Sequence, residues 1–280
     1  SVIGDMMVDL DHLLRSPIDW EDPEGGIIRL WPMIPSVVLP KSLRRTTGNW
    51  DGIAYLLPDD EPEIWDEQAQ QEKSSPGINR DGIIAGGGIL SKMMLHLSSL
   101  EAIQACKFPD PESRRLFQMA YSEAGKGRRP IFFVEPEDQD WIDWVEDCAD
   151  EMSRPRQLLK SIFSGRAWKK ELLKSMRDAT PPEIVRDDSV ASAMAEASGV
   201  AATWWRRSER SLNEDLHRRR DERLAARIRG ALQSLRKGQI DGKDTCVLLV
   251  PVMQAWMPSI HVALSNVEIE SLEKEVEGNE

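Results

Sequence analysis

The sequence predicts an α/β protein with a small, mainly parallel sheet, flanking helices and a large helical segment inserted before the last strands. The apolar run IFFV at Ile131–Val134 follows a glycine turn and is typical of a buried strand. Predicted helices on both sides of this run give the helix–strand–helix order of a parallel α/β layer. From Pro155 to Arg236 the pattern is almost purely helical, and a second strongly apolar run follows at Thr245–Met253.

Short apolar pieces bounded by Gly and Pro predict strands in the first part of the chain. They lie at Gly25–Trp31, Ser36–Pro40 and Gly52–Pro58. An acidic helix with a proline in its first turn is predicted at Asp59–Glu72. The polar stretch Lys73–Gly82 then predicts a loop, and it is the best linker candidate in this half of the chain.

Gly82–Leu90 predicts a further strand that ends in a glycine triplet. Glycines before a helix could cradle a phosphate, but the spacing matches neither known phosphate-binding pattern, so a tight turn or close packing is the simpler role. Helices are predicted at about Ser91–Cys106, at Glu112–Ala124 and at Asp138–Met152, and one long helix at about Ala202–Leu235.

The domain organisation predicted from these patterns has three parts. Residues 1–76 form an acidic part, rich in Pro and Trp, with short strands. Residues 77–265 form the α/β core, which carries the helical insertion at 155–235 and ends on a short apolar piece at Ile260–Leu264. Residues 266–280 form an acidic tail.

Charge is strongly segregated along the chain, whose net charge is −12. Glu135–Glu151 holds nine acids and no base, whereas Val200–Lys237 holds eleven bases and five acids. Such blocks pair with each other inside the fold or face a charged partner, and pairing within the chain is the simpler interpretation. The net charge disfavours nucleic acid and anionic membranes, so Arg206–Arg229 is the one segment where a nucleic acid could bind. Acids four residues before Arg218 and Arg219 instead favour a solvated helix with internal ion pairs.

The cysteines and histidines predict neither a metal site nor a disulfide framework. The three cysteines are far apart, and none of the four histidines forms a metal-binding pair. We therefore expect no metal, no cofactor and reduced thiols in a cytoplasmic protein. The stretch Ser1–Leu14 lacks the basic start of a signal peptide, and no apolar run is long enough to span a membrane.

Glu135 and Asp138 are the first candidate site residues, because they directly follow the predicted strand IFFV. Ligands of α/β sheets bind outside the carboxyl ends of strands. A carboxylate that leaves an apolar layer there has a raised pKa and could act as a general acid or base. The alternative is structural, since acids at the start of a helix stabilise its dipole.

Arg220 is the third candidate, because it stands in register with Leu216, Leu224 and Ile228 on the apolar stripe of the long helix. A guanidinium that points to a core needs a carboxylate partner. We expect that partner to be Glu135 or Asp138. The alternative is a shift in helical register after Leu216 that leaves Arg220 in solvent.

Two segments resemble the superfamily of TraB, TIKI and ChaN/erythromycin-esterase-like proteins. Arg114–Asp138 resembles a family helix that leads through glycine into a strand ending in an acid. Arg219–Leu232 resembles a family helix in which Arg220 and Asp221 match the polar pair, and a buried strand follows it. The resemblance covers about half of the chain and implies an α/β scaffold. The family strand ends in a Gly-x-Gly-His pattern, but Pro251–Gln254 stands there, so the resemblance does not imply the family's activity.

The function predicted first is a non-catalytic or regulatory component of a bacterial multiprotein system. Ten Trp residues and charge-segregated surfaces suit contact with a protein partner. The alternative is a divergent hydrolase on a TraB/ChaN-like scaffold, with Glu135, Asp138 and Arg220 as catalytic residues. The missing catalytic signatures favour the first.

Overall fold

The computed structural model describes residues 17–41, 43–44, 46–122, 128–154, 164–179, 189–238 and 246–272. The predictions for Ser1–Leu14 and for the end of the acidic tail lie outside these residues.

The centre of the fold is a five-stranded sheet in the order β1-β2-β5-β3-β4. Its strands are β1 (Ile18–Glu21), β2 (Ile27–Met33), β3 (Gly52–Tyr55), β4 (Ile131–Phe133) and β5 (Val247–Met253). β1 pairs antiparallel with β2, and every other pairing is parallel. The predicted α/β class with a small, mainly parallel sheet is therefore confirmed.

The last strand enters the middle of the sheet. β5 pairs with β2 in the register Ile28 to Leu248 and with β3 in the register Gly52 to Leu248. It is buried on both sides, which explains why its sequence is a continuous apolar run. The carboxyl ends of β2, β5, β3 and β4 consequently meet at one edge of the sheet.

Helices surround this sheet, and none of those in the described ranges is both long and apolar enough to cross a bilayer. We number them in chain order. They are α1 (Glu61–Ser74), α2 (Ile78–Gly86), α3 (Gly88–Ser98), α4 (Pro111–Ser122), α5 (Gln139–Ser153), α6 (Ser164–Ala179), α7 (Ser189–Glu209), α8 (Glu214–Gly238) and α9 (Met257–Leu264).

Three apolar clusters hold these layers together. α8 and α9 pack on one face of the sheet against residues such as Ile28 and Val250. α1 and α4 pack on the other face, around Trp31 and Tyr55. The third cluster joins α3, α6 and α7 to the segment that follows β2. It is linked to the edge of the sheet where β5 ends, since Ser198 on α7 donates to the buried side chain of Gln254 at 2.7 Å.

Several predicted strands and loops are helical or irregular in the structure. Gly82–Leu90 is not a strand but contains the junction of α2 and α3, where Gly87 and Gly88 have φ of 73° and 79°. These glycines serve a turn rather than close packing, because a Cβ on either would meet nothing within 4 Å. The predicted loop Lys73–Gly82 contains the start of α2, and Ile260–Leu264 belongs to α9.

Two further predictions failed for local reasons. Ser36–Pro40 is not a strand, because Ser36 has a φ of 58° and Val37 and Leu39 pack into the helical cluster instead. The single helix predicted at Ala202–Leu235 is two helices, α7 and α8. Asn213 ends the break between them by accepting a hydrogen bond from the Leu216 N–H at 2.9 Å, as an N-terminal cap does.

We predict that Gly230→Ala lowers the free energy of unfolding by about 1–3 kcal/mol, the usual cost of overpacking. A Cβ at Gly230 on α8 would lie 1.8 Å from the Glu270 carbonyl oxygen, so the backbone of the C-terminal segment must move. Gly82→Ala is the matched control, since its Cβ meets nothing within 4 Å and Ala is the better helix former. Urea unfolding of both variants checks this, and an unchanged Gly230→Ala protein would contradict the packing of α8 against Glu270.

Candidate functional site

Glu135 lies where the sequence predicts it, just beyond the carboxyl end of β4. Its backbone N–H donates to the Leu57 carbonyl after β3 at 3.2 Å, and its carboxylate accepts from the Trp141 indole N–H at 3.1 Å. Burial raises the pKa of Glu135, and the charge of Asp60 adds to this effect. The side chain is half-buried and fixed by these contacts.

Further carboxylates lie near Glu135 at this edge of the sheet. Burial raises the pKa of Glu61 at the start of α1, and Asp60, Glu135 and Asp110 raise it further. Burial also raises the pKa of Asp110, although that carboxylate accepts from the Ser36 and Ser113 N–H groups. The contacts of Asp110 are structural, because they fix the turn after β2 to the start of α4.

Asp138 has the structural role that the sequence left as the alternative. It is the N-cap of α5, and its carboxylate accepts from the Trp141 N–H at 3.0 Å. It also forms an ion pair with Arg223 of α8. Asp138 therefore fixes the beginning of α5 against α8.

Arg220 is buried, with 7% of its surface exposed, and it pairs with carboxylates as predicted. Its partners differ from the prediction. Both terminal nitrogens donate to Glu209 at the end of α7, at 2.8 and 3.0 Å, and Nε donates to Asp221 at 2.8 Å. Its Cζ also lies 5.1 Å from the ring centre of Trp205 and 4.7 Å from that of Trp256.

The expected pairing of Arg220 with Glu135 or Asp138 is thus wrong, since no ion pair joins them among the described residues. The reason is the helix break at residues 210–213, which brings Glu209 back beside Arg220. His217 adds to this group, because its Nδ1 lies 2.7 Å from the Glu209 carboxylate. The three residues proposed as catalytic do not form one cluster, and their catalytic role stays a prediction.

Eight of the nine arginines in the basic segment Arg206–Arg229 form ion pairs with acids of the described residues. Each of its nine arginines donates to a side chain or carbonyl of the described residues. Arg219 contacts Asp147 of α5 at 2.9 Å, rather than Asp215 on its own helix. The other arginines donate as follows: Arg206 to Ser175, Arg207 and Arg210 to Glu171, Arg218 to Asp215 and Glu222, Arg220 to Glu209 and Asp221, Arg223 to Asp138, Arg227 to the Val134 carbonyl, and Arg229 to Asp22.

α5 is attached to α8 mainly by polar contacts and two indole rings. Trp141 and Trp144 stack at 4.5 Å between ring centres, and the Trp144 N–H donates to the Leu216 carbonyl at 3.0 Å. A cavity of about 430 Å³ lies between the two helices and is lined by these rings together with Arg219 and Arg223. Since both arginines are already paired with acids, the cavity has no charge left for an anionic ligand.

The flank of α5 that does not face α8 exposes a stripe of apolar side chains. Ile142, Val145 and Met152 are 46%, 47% and 47% exposed, and Ala149 is exposed between them. Their spacing of three, four and three residues places them on one side of the helix. We call these four residues the α5 stripe. An apolar row of this kind on the surface is a candidate for contact with another molecule.

Among the described residues, no group of three or more acidic, Cys or His side chains is arranged to hold a metal ion. No protein-family model, no curated protein and no solved structure matches this chain. The function is therefore argued from the geometry alone.

The sequence missed the α5 stripe and the partners of Arg220. The stripe had a signal, because the 3-4-3 spacing of apolar residues is readable in an otherwise acidic helix. The pairing of Arg220 with Glu209 had no such signal. It depends on a helix break, and the continuous apolar pattern of the sequence does not show that break.

We predict that Arg220→Met lowers the free energy of unfolding by about 3–5 kcal/mol, because it leaves the Asp221 and Glu209 carboxylates without their main buried cation. Arg218→Met is the control. Its side chain is mostly exposed, so we expect its replacement to leave the stability almost unchanged. Urea unfolding measures both, and equal losses would show that Arg220 is not a buried pair.

The contribution of His217 to stability depends on pH. The hydrogen bond to Glu209 raises the pKa of His217 in the folded state. The protonated His217 therefore stabilises the folded state fully at pH values below its unfolded-state pKa of about 6.5. This stabilisation is lost as the pH rises through the folded-state pKa. We therefore expect His217→Gln to cost more stability at pH 6 than at pH 9. An equal cost at both values in urea unfolding would contradict the pair.

Proposed function

We propose that the protein is a non-catalytic or regulatory component of a multiprotein system, and that it binds a partner protein through the α5 stripe. The observation that carries this proposal is the row formed by Ile142, Val145, Ala149 and Met152. Three of the four are large apolar side chains, each with nearly half of its surface in water. Burying them against a partner supplies the hydrophobic term of binding, at about 25 cal/mol per Å².

The rigid attachment of α5 supports this role. Asp138 caps its first turn, Arg223 holds that cap, and Arg219 holds Asp147 near its middle. A helix fixed in this way presents its outer side without being ordered by the partner. Less conformational entropy is then lost on binding.

The hydrolase alternative has weaker support. Glu135 has the raised pKa of a general acid, but Asp138 caps a helix and Arg220 is engaged with Glu209 and Asp221. Neither of these two side chains is free to act on a substrate beside Glu135. The proposal includes the TraB-like scaffold. A scaffold without the family's catalytic histidines can keep the fold of the family without its activity.

A pair of matched double variants tests the proposed surface. We expect Ile142→Ser with Val145→Ser to lose, by about tenfold or more, the partner that co-purifies with the wild-type chain from its native cells. Leu95→Ser with Leu173→Ser is the control, because these residues are 52% and 54% exposed but lie on α3 and α6. Quantitative mass spectrometry of the three purifications measures the effect.

Two outcomes would contradict the proposal. Either both double variants keep the same partner as the wild type, or the control loses it as well. Thermal unfolding of each variant accompanies the experiment, so that a loss of partner is not mistaken for a loss of fold.

A further inference from the structure

The acids of α5 and its N-cap differ in whether a cation of the described residues pairs with them. Asp138 and Asp147 face α8 and pair with Arg223 and Arg219. Glu146 and Asp150 are exposed, and no cation pairs with either of them among the described residues. Ion pairing among the described residues therefore does not extend to Glu146 and Asp150.

The unpaired acids lie directly beside the α5 stripe. Successive residues of an α-helix are about 100° apart, so Glu146 and Asp150 follow Ile142 by four and eight residues along the outer flank. The buried side of α5, marked by Cys148, lies on the other flank of the stripe. The exposed surface is thus an apolar row with a carboxylate edge facing solvent.

From this arrangement we infer that the partner segment is a basic amphipathic helix, with apolar residues at a 3-4-3 spacing and Lys or Arg along one edge. This inference rests on the proposed function and names the chemistry of the partner. The 15 residues of α5 span about 22 Å, which is enough for four apolar residues of a facing helix. Lys or Arg on the partner would meet Glu146 and Asp150, which no cation of the described residues neutralises.

The same charges argue against two other occupants. A second copy of this chain would bring its own Glu146 and Asp150 to a self-complementary contact, so that like charges meet. An anionic membrane surface would be repelled by the carboxylate edge, whereas helices that lie on such membranes carry Lys and Arg beside the apolar face.

Three synthetic helical peptides of equal length test the inference with the purified full chain. The first carries Leu at 3-4-3 spacing with Lys along one edge, the second replaces every Lys by Glu, and the third is a scramble of the first. We expect the basic peptide alone to bind, with an affinity that falls as salt is raised. Fluorescence anisotropy of labelled peptides measures the binding.

Charge reversal gives the sharpest comparison. We expect Glu146→Lys with Asp150→Lys to weaken the basic peptide about tenfold or more and to gain binding of the acidic peptide. Glu63→Lys with Glu67→Lys is the matched control, because these two exposed acids have the same spacing on α1. We expect the control variant to behave as the wild type does, binding the basic peptide and neither of the other two.

The outcomes separate this inference from the proposed function. If the acidic peptide binds the wild type, and Ile142→Ser with Val145→Ser abolishes that binding, the docking surface stands and its basic partner is wrong. If no peptide binds and the two serine double variants keep the same co-purifying partner, both are wrong.

Discussion

The buried side of α8 imposes the main constraint on this fold, because it combines an apolar stripe with arginines. Leu224, Ile228 and Leu232 must pack against the sheet, and five arginines lie between positions 219 and 229 of the same helix. Packing the stripe removes water from the guanidinium groups of Arg220, Arg227 and Arg229, whose side chains are 8%, 17% and 10% exposed. A desolvated charge without a partner costs several kcal/mol. Each arginine therefore needs an acceptor from an element that surrounds α8.

Those acceptors come from well-separated parts of the sequence. Asp22 follows β1, Asp138 and Asp147 belong to α5, Glu209 ends α7, and Glu270 lies in the C-terminal segment. Asp138 and Asp147 thus join the acidic block of the sequence to the basic one. Pairing within the chain leaves fewer guanidinium groups of Arg206–Arg229 for a nucleic acid to contact.

The position of α5 follows from the same network. Its contacts with α8 are two ion pairs and the indole rings of Trp141 and Trp144, rather than a wide apolar seam. A helix attached through one polar flank keeps its apolar flank free. The α5 stripe lies on the side of the helix that these contacts leave exposed.

The sequence predicts the parts of the fold that depend on local pattern. The class, the buried run at Val247–Met253 and the burial of Arg220 all follow from the period of apolar residues. It fails where a long-range contact decides. The pairing of Arg220 with Glu209 depends on the turn at residues 210–213, and Gly82–Leu90 is apolar because its helices pack on one another, not because it is a strand.

The most direct measurement is a methyl NMR spectrum of the chain with and without the partner protein that we expect to co-purify with it. The methyl groups of Ile142, Val145, Ala149 and Met152 are the reporters, and those of Leu95 and Leu173 are the internal reference. We expect the four reporters to shift and to become protected from a soluble paramagnetic probe, while the two reference residues stay unchanged. Unchanged α5 reporters in a complex that has formed would contradict it, because the partner would then lie elsewhere on the surface.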